Sequence, residues 1–318
     1  MVGKKTPYDI ATCSTLPVIA GRSKWQTPNE LLDQAIKASK GEQPEWVEQT
    51  VTQRMGDVLE PELIREAGRM LGLKETKEEI EEPITHPDLP LMGSLDGLGY
   101  AENLTFNKQS HNWLVIPEQD EITLDGWGVI ECKCTRDFGT NDIEEERGVL
   151  QAKGLMECGN YSWAAVIVLW QSTDFRIYLY ERNSMFKTHL AQMVLDFDRR
   201  VKEEDYYPPV SSKDANVIYP RGVPRRDFRL EEGFSKCVER ILEAKEEIKR
   251  LEGDIDKQET MLKEAMGTNE YANLNKFIIK WPTIMYKATK ERVVPAKPAR
   301  VIRQSKLSIK EIKNDDRT

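Results

Sequence analysis

Histidine is scarce in this chain. The three residues present among 318 (His86, His111 and His189) are scattered rather than set at the spacing of metal ligands. The five cysteines are an odd number without a repeating spacing, which excludes a disulfide framework, and all five are expected to be reduced thiols in a cytosolic chain. Cys132-Lys133-Cys134 has the look of half a zinc site, but no second pair at ligand spacing completes it. Long apolar runs are missing too. The longest, Trp163 to Trp170, suits a buried strand and falls short of a membrane span. The opening Met1-Val-Gly-Lys-Lys-Thr-Pro7 lacks the apolar core of a secretory signal.

What is present is the mixture of a soluble globular protein, with 39% hydrophobic and 31% charged residues. The length suits one domain of about 200 residues with an appendage. A net charge of −8 argues at first against nucleic acid, but a polyanion responds to local fields rather than to a global sum. Here the charge is segregated. From Thr268 onward twelve lysines and arginines face five acids, a local +7 that leaves −15 on the rest. The basic segment reads either as a solvated tail or as a phosphate-facing extension.

Residues 90 to 160 hold the chemistry. Ser94-Leu-Asp96-Gly97 makes a turn, Val129-Ile130-Glu131-Cys132-Lys133 reads as a buried strand emerging at an edge, and Gln151 falls on the next helix. Alternation along a strand puts Glu131 and Lys133 on one face and Cys132 on the other. Two converging carboxylates form a hard oxygen site suited to Mg²⁺ or Mn²⁺, and a lysine beside them can orient a water for attack on phosphorus. The triplet alone proves nothing, since Glu75-Thr-Lys77, Glu243-Ala-Lys245, Glu247-Ile-Lys249 and Glu311-Ile-Lys313 share it. The apolar run before Glu131 and the turn upstream single it out. Asp125 is a competing acid nearer in sequence; Asp96 is preferred for its turn context.

This order of motifs resembles the PD-(D/E)XK nucleases, and more narrowly the YqaJ-type phage recombination exonucleases related to lambda exonuclease. The resemblance begins at Ser14, continues through Gly21-Arg-Ser23-Lys-Trp25-Gln-Thr27-Pro28 and Gly56-Asp-Val-Leu-Glu60-Pro61, and covers about residues 10 to 210. It implies a restriction-endonuclease-like α/β fold, a central mixed sheet flanked by helices. It also implies that Asp96, Glu131, Glu60 and the carbonyl of Cys132 bind one or two Mg²⁺ or Mn²⁺ ions. Lys133 would position the water, and Gln151 would steady the lysine or the DNA. A serine at the position of Ser14 helps to hold a 5′-phosphate in that family; capping a helix is the other reading of Ser14. The family often has an arginine seven residues earlier, where this chain has Pro7, so Arg22 and Lys24 are taken as substitutes. With Ser23, Ser94 and Arg136 they complete the expected DNA contacts.

The activity implied is 5′→3′ digestion of one strand at double-stranded DNA ends, leaving 3′ tails for a single-strand annealing protein. The setting would be the cytoplasm of a phage-infected or prophage-carrying bacterium. Ring-shaped trimers in the family suggest a homo-oligomer. An endonuclease or single-strand nuclease of the same fold, or a non-catalytic DNA-binding scaffold, are the alternatives.

Along the chain, the nuclease domain is assigned to 1–207, a linker to 208–230, a long heptad-patterned helix to 231–267 and a basic β extension to 268–318. Thr27-Pro28 predicts a helix start. A helix over 46–71 carries Val47, Val51, Met55, Val58, Leu59, Leu63 and Met70 on one broad apolar face, with Glu60 beside it and Arg54 or Arg65 as salt-bridge partners. Residues 99 to 126, with the strand-like Trp113 to Ile116, predict an extended hairpin. A helix is expected over 144–158, strands over 163–170 and 175–180, and a helix over 184–203.

Overall fold

Threonine before proline starts the first long helix as its chemistry requires. The computed structural model describes residues 7–42, 49–222, 228–275 and 277–285. It opens with strand β1 (Ala11–Thr12), a 3-10 turn (Cys13–Thr15) and the one-turn helix α1 (Leu16–Ile19). In helix α2 (Pro28–Ser39), Thr27 Oγ1 accepts the Glu30 amide at 3.2 Å while the Glu30 carboxylate accepts the Thr27 amide at 2.9 Å. Its Leu31, Leu32, Ala35 and Ile36 are buried, the spacing of one helical face. Helix α3 (Val51–Leu71) ends at Gly72, which takes the left-handed conformation that terminates a helix. Short strands β2 (Glu75–Glu78), β3 (Ile84–Thr85) and β4 (Leu91–Gly93) lead into β5 (Gly97–Asn107), β6 (Leu114–Val115) and β7 (Glu121–Thr135). Then follow α4 (Leu150–Gly159), β8 (Trp163–Trp170), β9 (Asp174–Glu181), α5 (Ser184–Glu203) and α6 (Ser212–Ile218).

The main sheet has six strands in the order β2-β5-β7-β8-β9-β6 and is mixed, as expected: β7 and β8 run parallel, whereas β5–β7 and β8–β9 are antiparallel. The parallel pair needs a crossover, and α4 supplies it. Strand β8 is buried along its length apart from the half-buried Leu169, which is why its sequence is apolar on both faces. Alternate residues feed two cores. Val129, Ala164, Val166 and Val168 pack with the helices α1, α2, α4 and α5. Ile130, Cys132, Ala165 and Ile167 pack on the other face with Ile64, Ala67 and Leu71 of α3. The expected hairpin over 99–126 is present, and it is longer: β5 and β7 pair from Gly97↔Ile130 to Asn107↔Glu121. A second sheet of three strands, β1-β4-β3, holds the approach to Asp96.

Three expectations need correcting. The apolar face read for α3 is buried only towards its end, where Leu63 and Met70 pack against the core. Val51 (66% exposed), Met55 and Val58 face solvent, and the helix docks through Ile64, Ala67 and Leu71, because periodicity marks an apolar face without saying what covers it. Val47 lies outside the described residues. The helix over 144–158 is broken at its start, where Arg147 and Gly148 leave helical geometry inside a turn over Glu145–Val149. The linker from 208 is not free of structure. Asp214 of α6 is fully buried and accepts from Thr27 Oγ1 at 2.5 Å, Asn29 Nδ2 at 2.8 Å and the Val210 amide at 3.0 Å, so the first compact unit runs to Tyr219.

The second unit starts at Pro220. Its long helix α7 (Ser235–Met266) ends at Gly267, and a hairpin of β10 (Tyr271–Leu274) and β11 (Phe277–Lys280) follows. Phe234, Ile241, Ile248, Ile255 and Leu262, seven residues apart, are between 37% and 59% exposed. Most of the basic extension lies outside the described residues, beyond Met285. Among the described residues no helix is long and apolar enough to cross a membrane.

Candidate active site

The pairing of Gly97 with Ile130 sets Asp96 opposite Glu131. Asp96 Oδ2 accepts the Cys132 amide at 2.9 Å, which fixes the turn carboxylate against the strand. Glu131 and Lys133 share one face, as alternation requires, and Lys133 Nζ is hydrogen-bonded to Glu131 Oε1. Gln151, on the first turn of α4, accepts from Lys133 Nζ at 3.4 Å. The order turn, strand, crossover helix thus converges at one end of the sheet.

Glu131 is wholly buried, and its second oxygen, Oε2, has no hydrogen-bond partner. Burial, and next the charge of Asp96, push its carboxyl well above the usual range, with Lys133 pulling the other way. Burial lowers Lys133, but the charges of Glu131 and Asp96 outweigh it and hold the ammonium above its ordinary value. Glu60, half-buried on α3, is pushed up to about 8 by burial and by Asp96, against Lys133. Arg65 is bound to Glu62 and lies 3.7 Å from Glu78 rather than pairing with Glu60. Among the described residues no three His, Cys, Asp or Glu side chains are gathered closely enough to enclose a metal ion by themselves. An orphaned buried carboxylate oxygen beside a second carboxylate still suits Mg²⁺, which keeps several waters and takes one or two protein carboxylates.

Beside Lys133 opens a cavity of about 710 Å³. It is lined by Ser14, Ser23, Lys24 and Trp25 together with Lys133, Arg136, Asp137, Glu146 and Arg147. Of the expected DNA contacts, Ser14, Ser23, Lys24 and Arg136 therefore line one space. Ser14 is not a helix cap: Thr12 takes that position, and Ser14 Oγ lies 3.0 Å from Thr12 Oγ1. Arg22 does not line the cavity and pairs with Glu145 at 3.2 Å, while Ser94 sits half-buried in the turn two residues before Asp96.

Three features escaped the sequence. Gly148, at φ +89°, lies directly on the site: a β-carbon there would stand 3.1 Å from Glu131 Cγ and 3.3 Å from Lys133 Cε. Arg147 pairs with Asp137 at 2.7 Å and stacks over the Trp170 ring at 5.0 Å. Lys24 is held by Glu144 and Glu146. A lone Arg-Gly after three glutamates gives no warning of these roles. Trp25 is 89% exposed at the mouth of the cavity.

Neither a protein-family model nor a curated protein matches the chain. Among solved structures, it is similar to an alkaline exonuclease from Laribacter hongkongensis, with a TM-score of 0.46 and 17% identity over 62% of this chain and 90% of that one. The same enzyme in complex with dAMP aligns at 18% identity with the same TM-score and coverage. A phage-related exonuclease from Haemophilus somnus aligns at a TM-score of 0.39 and 16% identity, over 62% of this chain and 96% of that one.

Proposed function

We propose that this chain is a metal-dependent deoxyribonuclease on a restriction-endonuclease-like core, acting as an exonuclease on linear double-stranded DNA. The reading extends to 5′→3′ digestion that leaves 3′ tails for a single-strand annealing protein, in the cytoplasm of a phage-carrying bacterium, with three copies assembled. The observation that carries it is the buried, unpartnered oxygen of Glu131 beside Asp96 and Lys133, with Lys133 lining a cavity that holds three further cationic side chains.

Asp96 and Glu131, with the carbonyl of Cys132 and Glu60, would hold one or two Mg²⁺ or Mn²⁺ ions. When bound, the metal supplies Lewis-acid stabilisation of charge on the scissile phosphate and the leaving oxygen. Lys133, kept charged by its acidic neighbours, donates a hydrogen bond that orients the attacking water. Gln151 limits the swing of Lys133. Ser14, Lys24 and Arg136 bind phosphate in the cavity, and Arg136 is exposed there. Trp25 offers a flat apolar face at the rim for the terminal base to stack on.

The test is Mg²⁺-dependent digestion of 5′-phosphorylated linear duplex, with closed circular DNA and Lys133→Ala as controls. Mononucleotides from linear DNA alone, abolished by the substitution, are expected. Cutting of circles would make the protein an endonuclease. Binding without cleavage would leave the scaffold reading.

A further inference from the structure

Helix α7 carries an apolar seam that the described residues of its own unit leave exposed. Phe234, Ile241, Ile248, Ile255 and Leu262 repeat every seven residues, and Cys237, Ala244, Leu251, Gln258 and Ala265 take the second seam position. Within its own unit Ile248 is 55% and Ile255 59% exposed. A strict seven-residue repeat describes a surface that another helix covers. We propose that α7 pairs antiparallel with α7 of a second copy of this chain.

Side-chain size favours that orientation. In a parallel pair like faces like, so the small Ala244 and Ala265 would meet themselves and leave gaps. Antiparallel, with the two-fold axis between Ile248 and Leu251, each large residue faces a smaller one or fits beside its neighbour. Phe234 meets Ala265 of the second copy, Ile255 meets Ala244, Leu262 meets Cys237 and Ile248 meets Leu251. Ile241 meets Gln258, the one polar layer, which penalises shifted registers.

Charge excludes the parallel alternative more sharply. The positions flanking the seam are Arg240, Glu247 and Asp254 on one side and Lys245, Glu252 and Glu259 on the other. Parallel pairing would oppose Arg240 to Lys245, Glu247 to Glu252 and Asp254 to Glu259, like charges in every case and each twice. Antiparallel pairing sets Lys245 against Glu252 of the second copy, twice. It also brings Glu247 near Asp254, but both are already paired within their own helix by Arg250, at 2.6 and 3.0 Å.

The full-length chain in analytical ultracentrifugation tests this, independently of any nuclease activity. Ile248→Lys, at an exposed position, is expected to halve the particle mass, from two chains to one or from two joined three-copy assemblies to one. Lys245→Glu or Glu252→Lys alone should weaken the pairing about tenfold, and the two together should restore it. A wild-type mass that Ile248→Lys leaves unchanged would overturn the proposal. So would single charge reversals that strengthen association, the result that parallel pairing requires.

Discussion

Lys24 Nζ donates to Glu144 Oε1 at 2.5 Å, and the Lys24 amide donates to Glu146 Oε2 at 2.9 Å, so an acidic loop occupies contacts that a phosphate would take. Glu144→Gln with Glu146→Gln is therefore expected to tighten binding of 5′-phosphorylated duplex about threefold and to steepen its salt dependence. Fluorescence anisotropy in EDTA at two salt concentrations measures both. Unchanged binding would mean that Lys24 does not meet DNA.

Gly148 meets two demands at once, a positive φ and close approach to Glu131 and Lys133. Gly148→Ala should cost about 1–3 kcal/mol of stability and reduce turnover by at least about tenfold. Gly126→Ala is the control, because φ is +73° there but nothing lies within 4 Å of the added carbon. It should lose stability and keep its turnover.

Glu131 is buried with one oxygen unpartnered, so the metal-free fold carries its charge at a loss. Glu131→Gln is expected to abolish cleavage, by at least about a thousandfold, while leaving the melting temperature in EDTA equal or higher. In the wild type, Mg²⁺ at about a hundred times its Kd should add about 2.7 kcal/mol of stability. The variant should not respond. Thermal melts with and without Mg²⁺ decide this.

Local physics made part of the site legible. Any strand places Glu131 and Lys133 on one face, and any crossover helix after a parallel strand returns Gln151 towards it. Thr27-Pro28 likewise marks its helix because the capping bonds lie within four residues. The rest depends on distant partners. The register that sets Asp96 opposite Glu131 belongs to a hairpin closing over 34 residues, and the ties of Lys24 span 120. The stripe on α3 is as apolar as a core face, yet Val51, Met55 and Val58 on it are exposed among the described residues. A single glycine in a charged stretch does not announce a positive φ.

His86 is buried, and its Nδ1 accepts the amides of Asp88 and Leu89, both at 3.1 Å, which keeps that nitrogen unprotonated. Burial holds its pKa below the ordinary 6.5. A depressed histidine contributes stability that is present above 6.5 and lost as pH falls through the lowered value. His86→Asn, whose Oδ1 can accept the same amides, should remove that part of the acid destabilisation. Urea midpoints at neutral and mildly acidic pH test it.

Asp214 gathers three donors in a site with no solvent access. Asp214→Ala strands those donors and should cost about 2–4 kcal/mol by urea denaturation. Truncation at residue 207 should destabilise α2 in the same way, whereas truncation at 219 should not.

The two-residue strand β6 pairs with β9 and so removes the longer strand from the rim of the main sheet. At the opposite rim stands β2, four residues of alternating charge and threonine, Glu75-Thr-Lys-Glu78. Neither border offers a long apolar ladder to a foreign strand, so the main sheet is guarded against edge-to-edge polymerisation.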